Sequence, residues 1–118
     1  MLDWVDTHGP TLEHVPGVRV RGEVDMATAP ALQGALEAAV ASSVGAFVVD
    51  LTETEFLDSS GIAVLLRTRA LLGREDRTFV AVCPDGPVRR VIDACGLADV
   101  FLLFDTPEAA ADALVRAR

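Results

Sequence analysis

The chain has no lysine; its ten basic residues are all arginines, at positions 19, 21, 67, 69, 74, 77, 89, 90, 116 and 118. Without lysine there is no internal Schiff base, no Walker-type lysine to cradle a phosphate, and no lysine partner for a phosphoaspartate of the receiver-domain kind. Coding bias toward Ala, Arg, Val and Gly is the plainer cause of the absence, and the chemical exclusion stands under either cause. Positive charge is scarce as well: ten arginines against 18 acidic residues leave a formal net charge of −8 at pH 7. A nucleic-acid partner is excluded, because its binders carry a basic face that displaces counterions from phosphates, and an anionic membrane surface is disfavoured for the same reason.

Cysteine is limited to Cys83 and Cys95. They lack CxxC spacing and a nearby histidine, so they suggest neither a metal site nor a redox pair and read as buried, reduced thiols. Apolar runs such as Ile62–Leu66 and Val100–Phe104 fall far short of the ~18 residues that span a bilayer. The start, Met1-Leu2-Asp3-Trp4, has no signal-peptide core, and the expectation is a cytoplasmic protein. No GxGxxG or GxxxxGK[ST] occurs, so no cofactor is expected. His8 and His14 accompany no Gly-x-Ser-x-Gly, which argues against a serine hydrolase. Trp4 reads as a packing residue.

What is present fits one domain spanning residues 1–118. The 51 % hydrophobic and 24 % charged content belongs to a globular chain, long enough to bury roughly two-thirds of its unfolded surface. Residues 1–10 carry no clear signal. Val18, Val20 and Val24 alternate with Arg19, Arg21 and Glu23 as in a half-buried strand, and Thr11–Val15 is a candidate partner across Pro16-Gly17. A helix follows over Ala27–Val40 with Thr28 as N-cap and Pro30 in its first turn, which leaves the Asp25 carboxylate free outside it. Ala46–Asp50 reads as a strand buried on both faces and Leu51–Leu57 as a loop. A second helix is predicted over Ser59–Leu72, with Ile62, Leu65, Leu66 and Leu72 inward and Gly73 as its stop.

Thr78–Val82 reads as a further strand. Pro84-Asp85-Gly86-Pro87 turns into a helix with Val88, Val91, Ile92 and Cys95 on its buried stripe. A last strand, Val100–Phe104, precedes a helix capped by Thr106 and opened by Pro107. Strands joined by helices predict an α/β fold, with a mixed, mostly parallel sheet and about four helices.

The most unusual segment is Phe56-Leu57-Asp58-Ser59-Ser60-Gly61-Ile62. With Asp58 as N-cap, its carboxylate accepts from an amide of the first turn, and Leu57 and Ile62 form a hydrophobic staple. Ser59 then stands at the first helical position with its hydroxyl toward solvent. Gly61 costs about 1 kcal/mol of helix propensity relative to alanine, and close approach of another backbone is one candidate reason for it. Spacing alone favours a well-capped helix start with small polar residues in its first turn and nothing more, since Asp, Ser and Gly are common at helix starts.

Val20-Arg21-Gly22-Glu23-Val24-Asp25, with Phe-Val-Val-Asp-Leu-Thr at 47–52 and Phe-Leu-Asp-Ser-Ser-Gly at 56–61, resembles the STAS family of bacterial anti-sigma factor antagonists. The resemblance runs from about Val18 to the C-terminus, through Arg90–Leu97 and Phe101–Asp105. It implies a single STAS-like domain that acts as a binding switch and not as an enzyme. It also implies a phosphoacceptor at Ser59, with Ser60 as second choice, and a partner-binding surface of Asp25, Thr28, Asp58, Ser59, Ser60 and Gly61. The implied partners are an anti-sigma factor serine kinase and a serine/threonine phosphatase that acts on phospho-Ser59. Two other readings fit the residues: an unmodified STAS scaffold or transport-accessory subunit, and a small nucleotide-binding enzyme built on Asp25, Asp50 and Asp58 at strand ends.

Overall fold

The computed structural model describes residues 4–116, apart from the side chain of Arg116, and arranges them as four helices on a six-stranded sheet. In chain order these are β1 (Val5–His8), β2 (Gly17–Val24), α1 (Ala29–Ala41), β3 (Phe47–Asp50), β4 (Thr54–Leu57), α2 (Ser59–Gly73), β5 (Phe79–Val82), α3 (Pro87–Ala94), β6 (Leu103–Phe104) and α4 (Pro107–Arg116). Strands pair in the order β1-β2-β3-β5-β6, and β4 adds to β2. Only β1 is antiparallel to its neighbour, so the sheet is mixed and mostly parallel as the strand–helix alternation predicts.

Alternation within the strands separates two cores. Val18, Val20, Phe47, Val49, Phe79 and Ala81 face the larger one, with Leu32 and Leu36 of α1, Leu65 and Leu72 of α2, and Ile92 of α3. Val48, Val80 and Val82 face the smaller one, where Ala110 of α4 and the turn residues Leu12 and Val15 pack. Strands β3 and β5 are covered on both faces, which is why they read as unbroken apolar runs.

The structure departs from the sequence reading at several points. The antiparallel partner of β2 comes from the first ten residues, with Val5 opposite Gly22 and His8 opposite Arg19. Thr11–Val15 instead closes on itself through a Leu12–Val15 bridge, with His14 at a φ of 67°. Its apolar pair is thereby directed into the smaller core.

The segment Leu51–Leu57 contains β4, a four-residue strand too short to show a period. Its register on β2 shifts between Gly22 and Glu23, where Glu55 is the extra residue. Of the strand expected over Val100–Phe104, only Leu103 and Phe104 are extended. The preceding residues coil, with Leu102 at a φ of 48° and the Phe101 N–H donating to Leu97 O at 3.0 Å. That coil drives Phe101 into the core, 5.7 Å from the Phe79 ring centroid.

Two side chains face the other way from their predicted side. Leu66 is exposed because the buried stripe of α2 runs through Gly61, Ile62, Leu65, Thr68 and Leu72, and Leu66 lies off it. Cys95 is also exposed, since α3 ends at Ala94 and leaves it beyond the last buried turn. Cys83 is buried.

Arg77 fastens the far end of α1. Its side chain is 7 % exposed, with Nε donating to Gly45 O at 2.8 Å, Nη1 to Val40 O at 2.9 Å and Nη2 to Ser43 Oγ at 2.9 Å. These bonds satisfy carbonyls at a helix C-terminus and beyond it. Arg77→Ala is expected to lower stability by about 1–3 kcal/mol, since it removes three hydrogen bonds from a charged, largely buried donor, and Arg77→Lys to recover part of the loss. Urea midpoints at unchanged slope measure both.

Burial pushes the Cys83 thiol up from 9.0 to about 11, against the opposing pull of Arg89, while Asp93, Asp105 and Asp50 add to the rise. Between those values the folded chain holds a proton that the unfolded chain has released. The contribution to stability is therefore complete below pH 9 and lost as pH rises to 11. The chain has no lysine and no tyrosine, so the two thiols are the only side chains with ordinary pKa values in that window. In a Cys95→Ser background, urea midpoints should fall between pH 9 and 11, and adding Cys83→Ser should flatten the decline.

Candidate functional site

Parallel pairing of β2 with β4 builds one rim of the molecule. Val24 lies opposite Leu57, so the chain leaves both strands at the same edge, and the Asp58 N–H donates to Val24 O at 3.2 Å. The next residues on each side, Asp25 and Asp58, therefore open neighbouring turns.

Asp58 is the N-cap of α2. Its backbone is extended, with φ −113° and ψ −168°, and its Oδ1 accepts from the Ser60 N–H at 2.8 Å. The Ile62 N–H closes the first turn on Asp58 O at 3.1 Å, and Leu57 and Ile62 are both buried as the staple predicts. Ser59 is the first helical residue and is exposed, whereas Ser60 is half-buried with its amide held by Asp58.

Gly61 has a different reason from the candidate that the sequence offers. A Cβ there would lie 2.2 Å from Leu57 Cδ1 and 2.9 Å from Val24 Cγ1, so side chains at the two strand ends, and not a second backbone, require the glycine.

Asp25 does not have the free carboxylate predicted for it. Its Oδ1 accepts from the Ala27 N–H at 2.9 Å and the Thr28 N–H at 3.0 Å, closing an Asx turn. Thr28 occupies the N-cap position of α1 but makes no side-chain cap bond. Its hydroxyl instead donates to Glu23 O at 2.7 Å and accepts from the Asp25 N–H at 3.0 Å. Thr28 is buried, so it holds the turn from within.

The residue between these anchors is one that sequence reasoning missed. Met26 is 80 % exposed at the tip of the turn, and its only sequence signal is a large apolar residue inside a polar turn.

The three acidic strand ends do not converge on one pocket, because Asp50 lies apart from Asp25 and Asp58. Asp50 pairs in register with Arg19, six positions before Asp25 on β2, or about 20 Å away along the strand. Its Oδ1 accepts from the Thr52 N–H at 2.9 Å and from the Thr52 hydroxyl at 2.5 Å. Among the described residues, no group of three or more His, Cys, Asp or Glu side chains could hold a metal ion. The three-carboxylate pocket needed by the enzyme reading is therefore not formed.

Residues 9–110 match the profile of the STAS domain. The chain belongs to the STAS domain family. It is 38 % identical over 87 residues to the anti-sigma-F factor antagonist RsfB of Mycobacterium tuberculosis, covering 74 % of this chain and 70 % of that one. A crystal structure of an anti-sigma factor antagonist from Mycobacterium paratuberculosis superposes with a TM-score of 0.86 at 40 % identity, covering 94 % of each chain. The unphosphorylated form of the antagonist SpoIIAA shares the fold, with a TM-score of 0.74 at 21 % identity over 98 % of each chain.

In this STAS domain, packing at Gly61 sets against each other two effects of known sign. Gly61→Ala gains about 1 kcal/mol of helix propensity but forces overlap with Leu57 and Val24, which costs about 1–3 kcal/mol. The variant is expected to be destabilised overall, with a lower urea midpoint; a midpoint above wild type would show that Leu57 yields without strain.

Proposed function

We propose that this STAS domain is an anti-sigma factor antagonist, a binding protein and not a catalyst, that works in the cytoplasm. In its unphosphorylated form the rim of Asp25, Met26, Asp58, Ser59, Ser60 and Gly61, positioned by Thr28, docks onto an anti-sigma factor serine kinase and releases the sigma factor held by it. Phosphorylation of Ser59 ends the interaction, and a serine/threonine phosphatase restores it.

The observation that carries this reading is the placement of Ser59. It is exposed at the first position of α2, beside a carboxylate that already occupies the Ser60 amide. A phosphate there adds about −1.5 to −2 units of charge next to Asp58, at a surface meant to be desolvated by a partner. Repulsion and the cost of stripping water from that charge both oppose docking. The 40 % identity to a mycobacterial antagonist over almost the whole chain supports the same function.

The kinase that the chain retains from a lysate of its host, once purified, provides the test. Ser59→Ala should take up no phosphate from ATP and that kinase, whereas phosphate remaining on the variant moves the acceptor to Ser60 or elsewhere. Ser59→Asp should weaken binding roughly 5- to 150-fold, the range of a 1–3 kcal/mol coupling. Unchanged affinity would rule out the electrostatic switch.

A further inference from the structure

We infer that Met26 is an apolar anchor of the partner interface, its thioether entering an apolar pocket on the anti-sigma factor. This deepens the function proposed above and rests on it. Met26 is 80 % exposed, an arrangement that leaves a large apolar side chain in water without any contribution to the core.

Other exposed apolar residues do not share its position. Val44, at 83 %, lies between α1 and β3, at the edge where the parallel strands begin, opposite the rim that carries Ser59. Val115, at 67 %, lies near the end of α4. Met26 alone among these follows directly on Asp25, on the turn that the Val24–Leu57 register sets beside Ser59.

The backbone beneath Met26 is fixed in advance. Asp25 Oδ1 holds the amides of Ala27 and Thr28, the Thr28 hydroxyl ties the turn to Glu23 O, and the Ala29 N–H donates to Asp25 O at 2.8 Å. Binding therefore has little main-chain entropy to remove at this point, and only the flexible thioether has to order. A methionine suits such a place, because its unbranched, polarizable side chain adapts to an irregular apolar pocket. Met26 follows Asp25 directly, on the turn next to the one that carries Asp58 and Ser59, so an apolar contact made there would be bordered by polar groups that help to exclude water from it. The phosphoacceptor then lies on the polar surround of the anchor, where added charge also disturbs the exclusion of water around it.

The test compares equilibrium binding of Met26→Gln, Met26→Leu and Val44→Gln to the purified anti-sigma factor, with Ser59→Asp in parallel and melting curves to confirm folding. Met26→Gln should bind roughly tenfold more weakly, Met26→Leu within about twofold of wild type, and Val44→Gln as wild type. If wild type binds and Ser59→Asp does not, while Met26→Gln binds as tightly as wild type, the anchor is overturned and the antagonist reading stands. If wild type itself does not bind, both fall. Sedimentation separates the remaining occupant: a dimer dissociated by Met26→Gln without change in partner affinity assigns Met26 to a second copy of the chain and overturns the proposal.

Discussion

Strand β2 has more hydrogen-bonding partners than its length would normally serve, and the way it divides them governs the site. Along one edge it pairs with β1, while along the other its first residues pair with β3 and its last with β4. Between those two partners the Val20 carbonyl would be left over, and the Thr54 hydroxyl donates to it at 2.9 Å. The register shift that follows falls at Gly22, whose φ of 111° is a conformation that side-chain-bearing residues rarely adopt. A Cβ there would also lie 2.7 Å from the Trp4 ring, so glycine is required twice over. Because the change of partner occurs where it does, Val24 and Leu57 finish in register and the two acidic turns emerge side by side. A slip of one residue would reverse the faces of β4 and separate Asp58 from Asp25.

Both acidic side chains at the rim are first of all structural. Asp58 and Asp25 each accept backbone amides at the entrance to a helix, α2 and α1 respectively, where a negative charge is favoured by the exposed N–H groups. The net charge of −8 therefore says little about the site, since what matters is two carboxylates held in place by main-chain donors beside one exposed hydroxyl. In the proposed switch, a charge added to Ser59 meets a neighbour that cannot swing away without uncapping α2.

The sequence reveals elements wherever a period or a cap is complete within it. The Asp58 cap, the Leu57–Ile62 staple, the Thr106-Pro107 start of α4 and the doubly covered strand β3 are all legible because neighbouring residues determine them. The Thr106 hydroxyl does accept the Ala109 N–H, at 3.1 Å. Illegible features depend on contacts distant in sequence. Strand β4 exists because β2 extends past β3, the coil before β6 forms so that Phe101 can reach Phe79, and β1 pairs across a turn that also fills the smaller core. At the site, the motif correctly brings Asp25 and Ser59 into one neighbourhood, but it cannot show that Thr28 faces inward or that Met26 faces outward. Those directions follow from which group satisfies the Glu23 carbonyl.

That carbonyl links the fold to the proposed site more tightly than the motif alone suggests. Glu23 lies on the shifted part of β2, where its N–H donates to Trp4 O at 2.8 Å, while its O is taken by the buried Thr28 hydroxyl. With Thr28 turned inward, the Asx turn of Asp25 closes over it and the residue between them is left outside. Exposure of Met26 is therefore a consequence of satisfying buried polar groups and not of loose packing. An apolar residue projected in this way has a fixed backbone address; in the proposed switch it gives the partner a preformed surface, and a phosphate on Ser59, in the neighbouring turn, would control whether that surface can be dried.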